Sequence, residues 1–542
     1  MVTAILRATV LAVLAGSVLM IASETFRGST GSAEPTVMLP EEVARYKQAA
    51  KDMFYHSYDS YMAHAFPKDE LAPISCSGHD THNCRGCLLT FYDALDTLAV
   101  LGNRTEFQRV VNWLANHGAA SFDREVTVSV FETNIRVLGS LISNHLLASD
   151  PTLNLMPGYN NELLTLAVDI GDRLLKAYQT VTGLPYGSVN LKTGINFGET
   201  AVSATATGGT VLLEFILLSK ISGDKKYAKA ADKATRKLWE SRSPLGLLGS
   251  HINVQTGEWV YLDSGIGGGI DSFFEYLLKA HVMTGKETYL EMFEEGYAKI
   301  NTHVKKNGWY VDVDMKSGQV MFPYYRSLQS FWPGLQVLYG DLEEAKALFQ
   351  RFFGVWTQYG FVPEAFNLLT NAPQEGLGQY PLRPELAESA FYLYRATGED
   401  AYRLAGAKII DSLNSYARVE CGYAAVENVT TKALRDHMDS YFLAETVKYL
   451  YLLFDESEET AVFRDPTKYI FNTEAHLLPV SKVPAQEFLL SPTNPPDHTA
   501  RKKRLERINK SSWEKRDKKR REKAAKKKEQ KDGAAAEEPP KE

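Results

Sequence analysis

Three acidic residues occupy matching places in three apolar stretches of this chain. They are Glu132 in Val-Phe-Glu-Thr-Asn-Ile-Arg, Asp271 in Gly-Gly-Ile-Asp-Ser-Phe-Phe-Glu-Tyr and Glu385 in Arg-Pro-Glu-Leu-Ala-Glu-Ser. A second tier follows from Glu214 in Leu-Leu-Glu-Phe, Glu388 one helical turn beyond Glu385, and Glu445 in Phe-Leu-Ala-Glu-Thr. Singly, a carboxylate at a helix start is a dipole partner worth a fraction of a kcal/mol. As a set between apolar flanks these residues can line a pocket. Two carboxylates across a polar pocket suit glycoside cleavage, since one protonates the leaving oxygen while the other activates water or attacks. Arg136, Arg383, Phe131, Phe273 and Tyr441 lie on the same segments and would supply planar donors and aromatic faces to a sugar. Core packing is the competing use of the aromatics.

Further on, residues 469–476 read Tyr-Ile-Phe-Asn-Thr-Glu-Ala-His, a short strand-like run that can enter a helical barrel from its far end. Thr473 offers hydroxyl and carbonyl oxygens, which with nearby acids suit a hard cation such as calcium rather than zinc. An ordinary terminal strand is the competing reading.

The acids are only useful if distant segments meet, and the chain supplies a device for this. An apolar helical stretch, a short turn with Gly or Asp and a more polar amphipathic stretch recur roughly every 55 to 60 residues between residues 42 and 453, with turns at Gly102, Gly223, Gly285, Gly340 and Gly398. A period of this length signals stacked helix pairs. Apolar members start near Gly86, Val130, Ala206, Ile270, Leu328, Pro384 and Met438, and polar partners near Glu41, Arg104, Asn161, Asp224, Lys286, Leu342 and Asp400, seven of each. Seven hairpins whose apolar helices are shielded by amphipathic ones predict an all-α fold, an (α/α)7 barrel spanning residues 41–480. An open α-solenoid is the alternative. In the closed ring all inner helices run one way, so Glu132, Asp271 and Glu385, on the second, fourth and sixth of them, gather at one mouth. Acids on alternate helices leave room for a water, which favours inversion.

Composition adds context. The first 22 residues have a charged start, an apolar run over residues 8–22 and small residues at its end, a secretory signal peptide that is short for a membrane anchor. Four cysteines agree with an oxidising compartment. Cys76 precedes the first inner helix and Cys421 the seventh, so ring closure makes them neighbours and a disulfide there would staple the ends. Cys84 and Cys87 form Cys-Arg-Gly-Cys without a thioredoxin-like setting, which reads as a local disulfide or two idle thiols, with a redox site as the rival. Sequons stand at Asn103, Asn428 and Asn509. Residues 501–542 hold 18 Lys or Arg against 9 Asp or Glu and few apolar side chains. Such a segment cannot form a core. Residues 481–542 are therefore expected to be a disordered basic tail, and behind a secretory signal no nucleic-acid partner and no stable membrane span are expected.

Taken with their order, these segments resemble the class I α-1,2-mannosidases of glycoside hydrolase family 47, in particular the ER degradation-enhancing α-mannosidase-like group. The resemblance runs over residues 46–479 and is carried by Asp93-Ala-Leu-Asp-Thr-Leu, Ser129-Val-Phe-Glu-Thr-Asn-Ile-Arg, Gly269-Ile-Asp-Ser-Phe-Phe-Glu-Tyr-Leu, Phe331-Trp-Pro-Gly-Leu-Gln, Leu382-Arg-Pro-Glu-Leu-Ala-Glu-Ser, Ser440-Tyr-Phe-Leu-Ala-Glu-Thr-Val-Lys-Tyr-Leu and Phe471-Asn-Thr-Glu-Ala-His. It implies an (α/α)7 barrel that removes terminal α-1,2-linked mannose from high-mannose N-glycans with inversion and a bound Ca2+. By the same resemblance Glu132 matches the general acid, Glu385 the general base and Asp271 a third catalytic carboxylate, with the proton donor either Glu132 or Asp271. Thr473 matches the calcium ligand, with Glu214, Glu388 and Glu445 around its waters, and Arg136, Arg383 and Tyr441 match sugar-contacting positions. Two departures stand out. Gly269 occupies a place where processing mannosidases of the family carry Arg, which should loosen the hold on particular glycan branches. Thr81-His-Asn-Cys-Arg-Gly-Cys-Leu replaces a more usual Trp-Gly-Ser-Phe-Ser type of stretch. The resemblance thus implies an ER-lumenal enzyme that trims misfolded glycoproteins for ER-associated degradation, with a thiol oxidoreductase as a candidate partner. The alternative is a glycan-binding adaptor with little activity of its own.

Overall fold

The five punctuating glycines, Gly102, Gly223, Gly285, Gly340 and Gly398, all adopt positive φ, between 70° and 90°. Each closes an apolar helix and turns the chain back along a polar one, the left-handed C-terminal stop that glycine favours. The computed structural model describes residues 37–480, so the expected signal peptide at residues 1–22, the tail at 481–542 and Asn509 lie outside the described residues.

Numbered along the chain, the outer helices are α1 (Pro40–Ser60), α3 (Arg104–Phe122), α5 (Glu162–Leu175), α7 (Lys226–Glu240), α9 (Glu287–His303), α11 (Leu342–Tyr359) and α13 (Asp400–Ser412). The inner ones are α2 (Leu89–Asp93 and Leu95–Val100), α4 (Val130–Glu132, Thr133–Leu138 and Gly139–Ser149), α6 (Thr205–Gly209 and Leu212–Ser222), α8 (Asp271–Thr284), α10 (Ser327–Phe331 and Trp332–Tyr339), α12 (Glu385–Thr397) and α14 (Phe442–Thr446 and Val447–Phe454). Burial separates the two sets. In α8 every residue from Ser272 to Met283 is buried, and so is all of Val447–Phe454 in α14. By contrast α7 buries Tyr227, Ala231, Ala234, Thr235, Leu238 and Trp239, a single stripe at three- and four-residue spacing.

The ring closes. Helix α14 packs against α1, where Tyr46 stacks on Phe454 with ring centroids 5.4 Å apart. Thr97 of α2 donates its hydroxyl to the Leu443 carbonyl of α14 at 3.0 Å. A disulfide joins Cys76 to Cys421 across the seam, and a second, local one joins Cys84 to Cys87. The molecule is therefore an (α/α)7 barrel and not an open solenoid.

The two ends of the barrel differ. Short turns link the inner helices to the next outer ones, apart from the longer loop of residues 150–161 after α4, whereas the return connections are long and form ribbons of two or three short strands. One such strand, Thr127–Ser129, pairs with Ser188–Asn190 and leads directly into α4. These ribbons rim the mouth at which the inner helices begin. The expected terminal strand is a hairpin, Tyr469–Phe471 paired with Leu477–Pro479. Its tip is held inside the ring: the Asn472 side-chain amide donates to the Ile135 carbonyl at 3.0 Å and to Glu214 at 2.9 Å, and His476 meets Asp96 at 3.1 Å. Gly139 of α4 makes this insertion feasible, because a Cβ there would stand 2.6 Å from the Asn472 nitrogen. Among the described residues no helix is long and apolar enough to cross a membrane.

Candidate active site

Helices α8 and α12 begin at Asp271 and Glu385, and Glu132 lies in the first turn of α4. A side chain at a helix start points past the end of its own helix, so these three remain partly accessible while the groups one turn further, Arg136, Glu275 and Glu388, are buried. Ser129 caps α4, its hydroxyl accepting from the Glu132 backbone N–H at 3.3 Å. Ser272 donates backbone N–H to Asp271 at 2.9 Å. π-helical turns at Thr133–Leu138 and Phe442–Thr446 interrupt α4 and α14, and each carries a charged group of the site, Arg136 and Glu445.

Two guanidinium groups organise the acids. Arg136 is bound by Glu132 at 2.8 Å, Glu474 at 2.6 Å and Asp93 at 3.3 Å, and it also donates to the Ser440 hydroxyl at 3.1 Å. Arg383 makes a two-pronged pair with Glu364, at 2.7 and 2.9 Å. Tyr441 lies between them, its ring centroid 5.3 Å from the Arg136 guanidinium and 5.8 Å from that of Arg383, with its hydroxyl given to the Pro381 carbonyl.

The carboxylates outnumber these cations, and their ionisation shows it. Burial pushes Asp271 up to about 7, with the Glu275 charge adding and Arg383 opposing. Burial likewise pushes Glu385 up to about 7, against Arg383 and with the charges of Glu364 and Asp271 adding. Asp271 and Glu385 are thus close enough to sense each other. In the second tier, burial raises Glu388 to about 8 despite Lys279, and raises Glu445 and Glu474 well above the ordinary range with neighbouring carboxylates adding.

Glu214 has a different setting from the rest of that tier. It is fully buried and its oxygens accept from Asn134 at 3.0 Å, Tyr276 at 2.7 Å and Asn472 at 2.9 Å, so it anchors the hairpin. At the hairpin tip Thr473 is partly accessible between buried Asn472 and Glu474. Its backbone N–H reaches the Tyr276 hydroxyl at 3.5 Å, and its own hydroxyl and carbonyl oxygens are donors of the type a hard divalent cation takes. Of the aromatics named from sequence, Phe273 is buried packing against Phe274, while Phe131 keeps partial exposure. Gly269 sits at φ +88°, a backbone conformation that an L side chain adopts only under strain. Cys84 and Cys87 are 1% and 2% exposed, so their bond is shielded.

Sequence reasoning missed Glu364, Glu474, Asp93 and Ser440 as members of this network. Glu474, Asp93 and Ser440 stood within the motifs that signalled the barrel; Glu364, in Val-Pro-Glu-Ala, carried no local signal.

A family model described as Glycosyl hydrolase family 47 matches residues 53–480. The chain belongs to that family. Among family 47 relatives, "Alpha-mannosidase I MNS4" of Arabidopsis thaliana is 49% identical over 445 residues, covering 82% of this chain and 71% of the relative. "ER degradation-enhancing alpha-mannosidase-like protein 2" of Homo sapiens is 46% identical over 450 residues, covering 80% and 77%. A solved structure, "alpha-1,2-mannosidase from Trichoderma reesei", superposes with a TM-score of 0.73 at 27% identity over 81% of this chain and 99% of that one. Within family 47 the chain falls in the ER degradation-enhancing α-mannosidase-like group, which gives it a mannosidase-like place in glycoprotein degradation.

Proposed function

We propose that this chain is an ER-lumenal inverting α-1,2-mannosidase that trims terminal mannose from high-mannose N-glycans on misfolded glycoproteins and so promotes their degradation. The single observation that carries the reading is the pair Asp271 and Glu385, two carboxyl groups at the starts of different inner helices, both pushed up to about 7 by burial, with the Asp271 charge adding to the rise of Glu385. At neutral pH such a pair holds one proton and one charge between its members, the state that acid and base catalysis needs. Glu385 accepts a proton from the attacking water. The leaving oxygen takes its proton from Asp271 or Glu132. Arg383, Tyr441 and Arg136, fixed by Glu364, Pro381 and Glu474, orient the sugar.

Thr473 would hold Ca2+ through its hydroxyl and carbonyl, with Glu388 and Glu445 around the ion's waters and Glu214 keeping the hairpin in place. When bound, the ion offers sugar hydroxyls a positively charged anchor. The residues themselves do the remaining work: the hairpin tip sets the depth of the pit, and the buried acids keep it polar. Through its glycan such an enzyme would meet misfolded glycoproteins, with a thiol oxidoreductase as a candidate partner.

The test is incubation of purified protein with a nine-mannose glycan, alone and with an oxidoreductase, beside Glu385→Gln. Mannose release that disappears in the variant supports the reading. Glycan binding without release in either condition would favour the adaptor, and release unchanged in Glu385→Gln would remove Glu385 as the base.

A further inference from the structure

Outside the pit, four ligand-type side chains converge at the seam of the ring. We propose that Glu70, His79 and His437, with Asp439 as the ion-pair partner of His437, form a binding site for a divalent transition-metal ion of the zinc type.

The backbone presents all four on adjoining extended segments. Glu70 and His79 are direct cross-strand partners in the hairpin Glu70–Ala72 with Ser77–His79. Leu71 of this hairpin forms an antiparallel bridge with Met438, so His437 and Asp439 flank the bridged residue and share a face. The ligand atoms of Glu70, His79 and His437 lie within 4.8 Å of one another. Glu70 Oε2 stands 3.7 Å from His79 Nε2 and 3.5 Å from His437 Nε2, and Asp439 Oδ1 is 3.1 Å from His437 Nε2. Around zinc, with bonds of about 2.0–2.1 Å, neighbouring ligands of a tetrahedron are about 3.4 Å apart. The two Glu70 separations lie just above that edge, and His437 Nδ1 stands 3.1 Å from His79 Nε2, a ring-to-ring hydrogen bond that a bound metal would replace.

Two further observations point to a ligand. Glu70 is 4% exposed; one of its oxygens accepts from the Ser440 backbone at 2.9 Å, leaving Oε2 turned toward the imidazoles at distances longer than a hydrogen bond. Asp439 Oδ2 is buried without a hydrogen-bond partner among the described residues. Two imidazoles and a carboxylate, leaving a fourth position for water, form a borderline donor set suited to zinc. A metal here would tie the first hairpin to the entrance of α14 beside the Cys76–Cys421 bond. It would also lie one residue from Ser440, whose hydroxyl touches Arg136, and so would join the seam to the sugar-binding wall.

The experiment titrates Zn2+ into full-length protein stripped with chelator and then held in excess Ca2+, with metal content and Co2+ absorption as second readouts. The expected result is one Zn2+ per chain and intense Co2+ bands of four-coordinate type. Affinity should fall at least tenfold in His79→Asn and in His437→Asn and stay unchanged in Thr473→Ala. Absence of stoichiometric Zn2+ uptake by the unsubstituted chain would overturn the proposal, as would wild-type affinity in both histidine variants. If the variants fail to fold, the Co2+ spectrum of the unsubstituted chain decides: octahedral weak bands count against the site.

Discussion

At the scale of single residues, the decisive contrast is between acids whose cation binds them directly and acids whose burial outweighs a cation nearby. Asp271 and Glu385 belong to the second kind, and both are pushed up to about 7 despite Arg383. A base must be ionised and a donor protonated, so activity should rise with pH as Glu385 ionises and fall as the donor loses its proton. The expected kcat/KM profile is therefore a narrow bell centred near neutrality. Asp271→Asn should remove the alkaline limb, and a pH–rate series on that variant reads this directly. Arg136 is of the first kind, with three carboxylates around one guanidinium. Arg136→Met leaves buried Glu474 and Asp93 uncompensated and should cost about 3–5 kcal/mol in urea denaturation.

At the scale of elements, the terminal hairpin is the part with the narrowest tolerance. Gly139→Val places a branched side chain where even a Cβ would stand 2.6 Å from Asn472. It should destabilise the fold by about 1–3 kcal/mol and lower calcium content, checked by denaturation and metal analysis. The helices around it were legible in the sequence because their cues are local: a turn glycine, an apolar run, an acid at the first turn. The acids Glu132, Asp271 and Glu385 could be placed at one mouth for the same reason. The π-turns and the rim ribbons were not legible, since strands of two to four residues are too short to show alternation. Nor were the partners of Arg136 and Arg383. Glu474 lies 338 residues beyond Arg136, and only the closed ring brings the two together.

At the scale of the whole molecule, closure and charge set stability. The Cys76–Cys421 bond spans 345 residues, so removing it should cost up to about 5 kcal/mol in chain-entropy terms. The Cys84–Cys87 bond spans only 3, and its loss should matter far less. Thermal melts of the two double-serine variants compare them. Because Asp271 and Glu385 bind protons more tightly folded than unfolded, calcium-free protein should lose stability as pH rises from about 4 to 7, by roughly 2–4 kcal/mol. Melts across that window check the sign.

The hairpin that floors the pit lies at residues 469–479, after all fourteen barrel helices. During synthesis on the ribosome, then, the nascent barrel stays bottomless until its last segment emerges. An unfinished polypeptide of this kind can have neither Thr473 nor the Glu474 counter-charge to Arg136, and sugar chemistry must wait for the codons of residues 469–479.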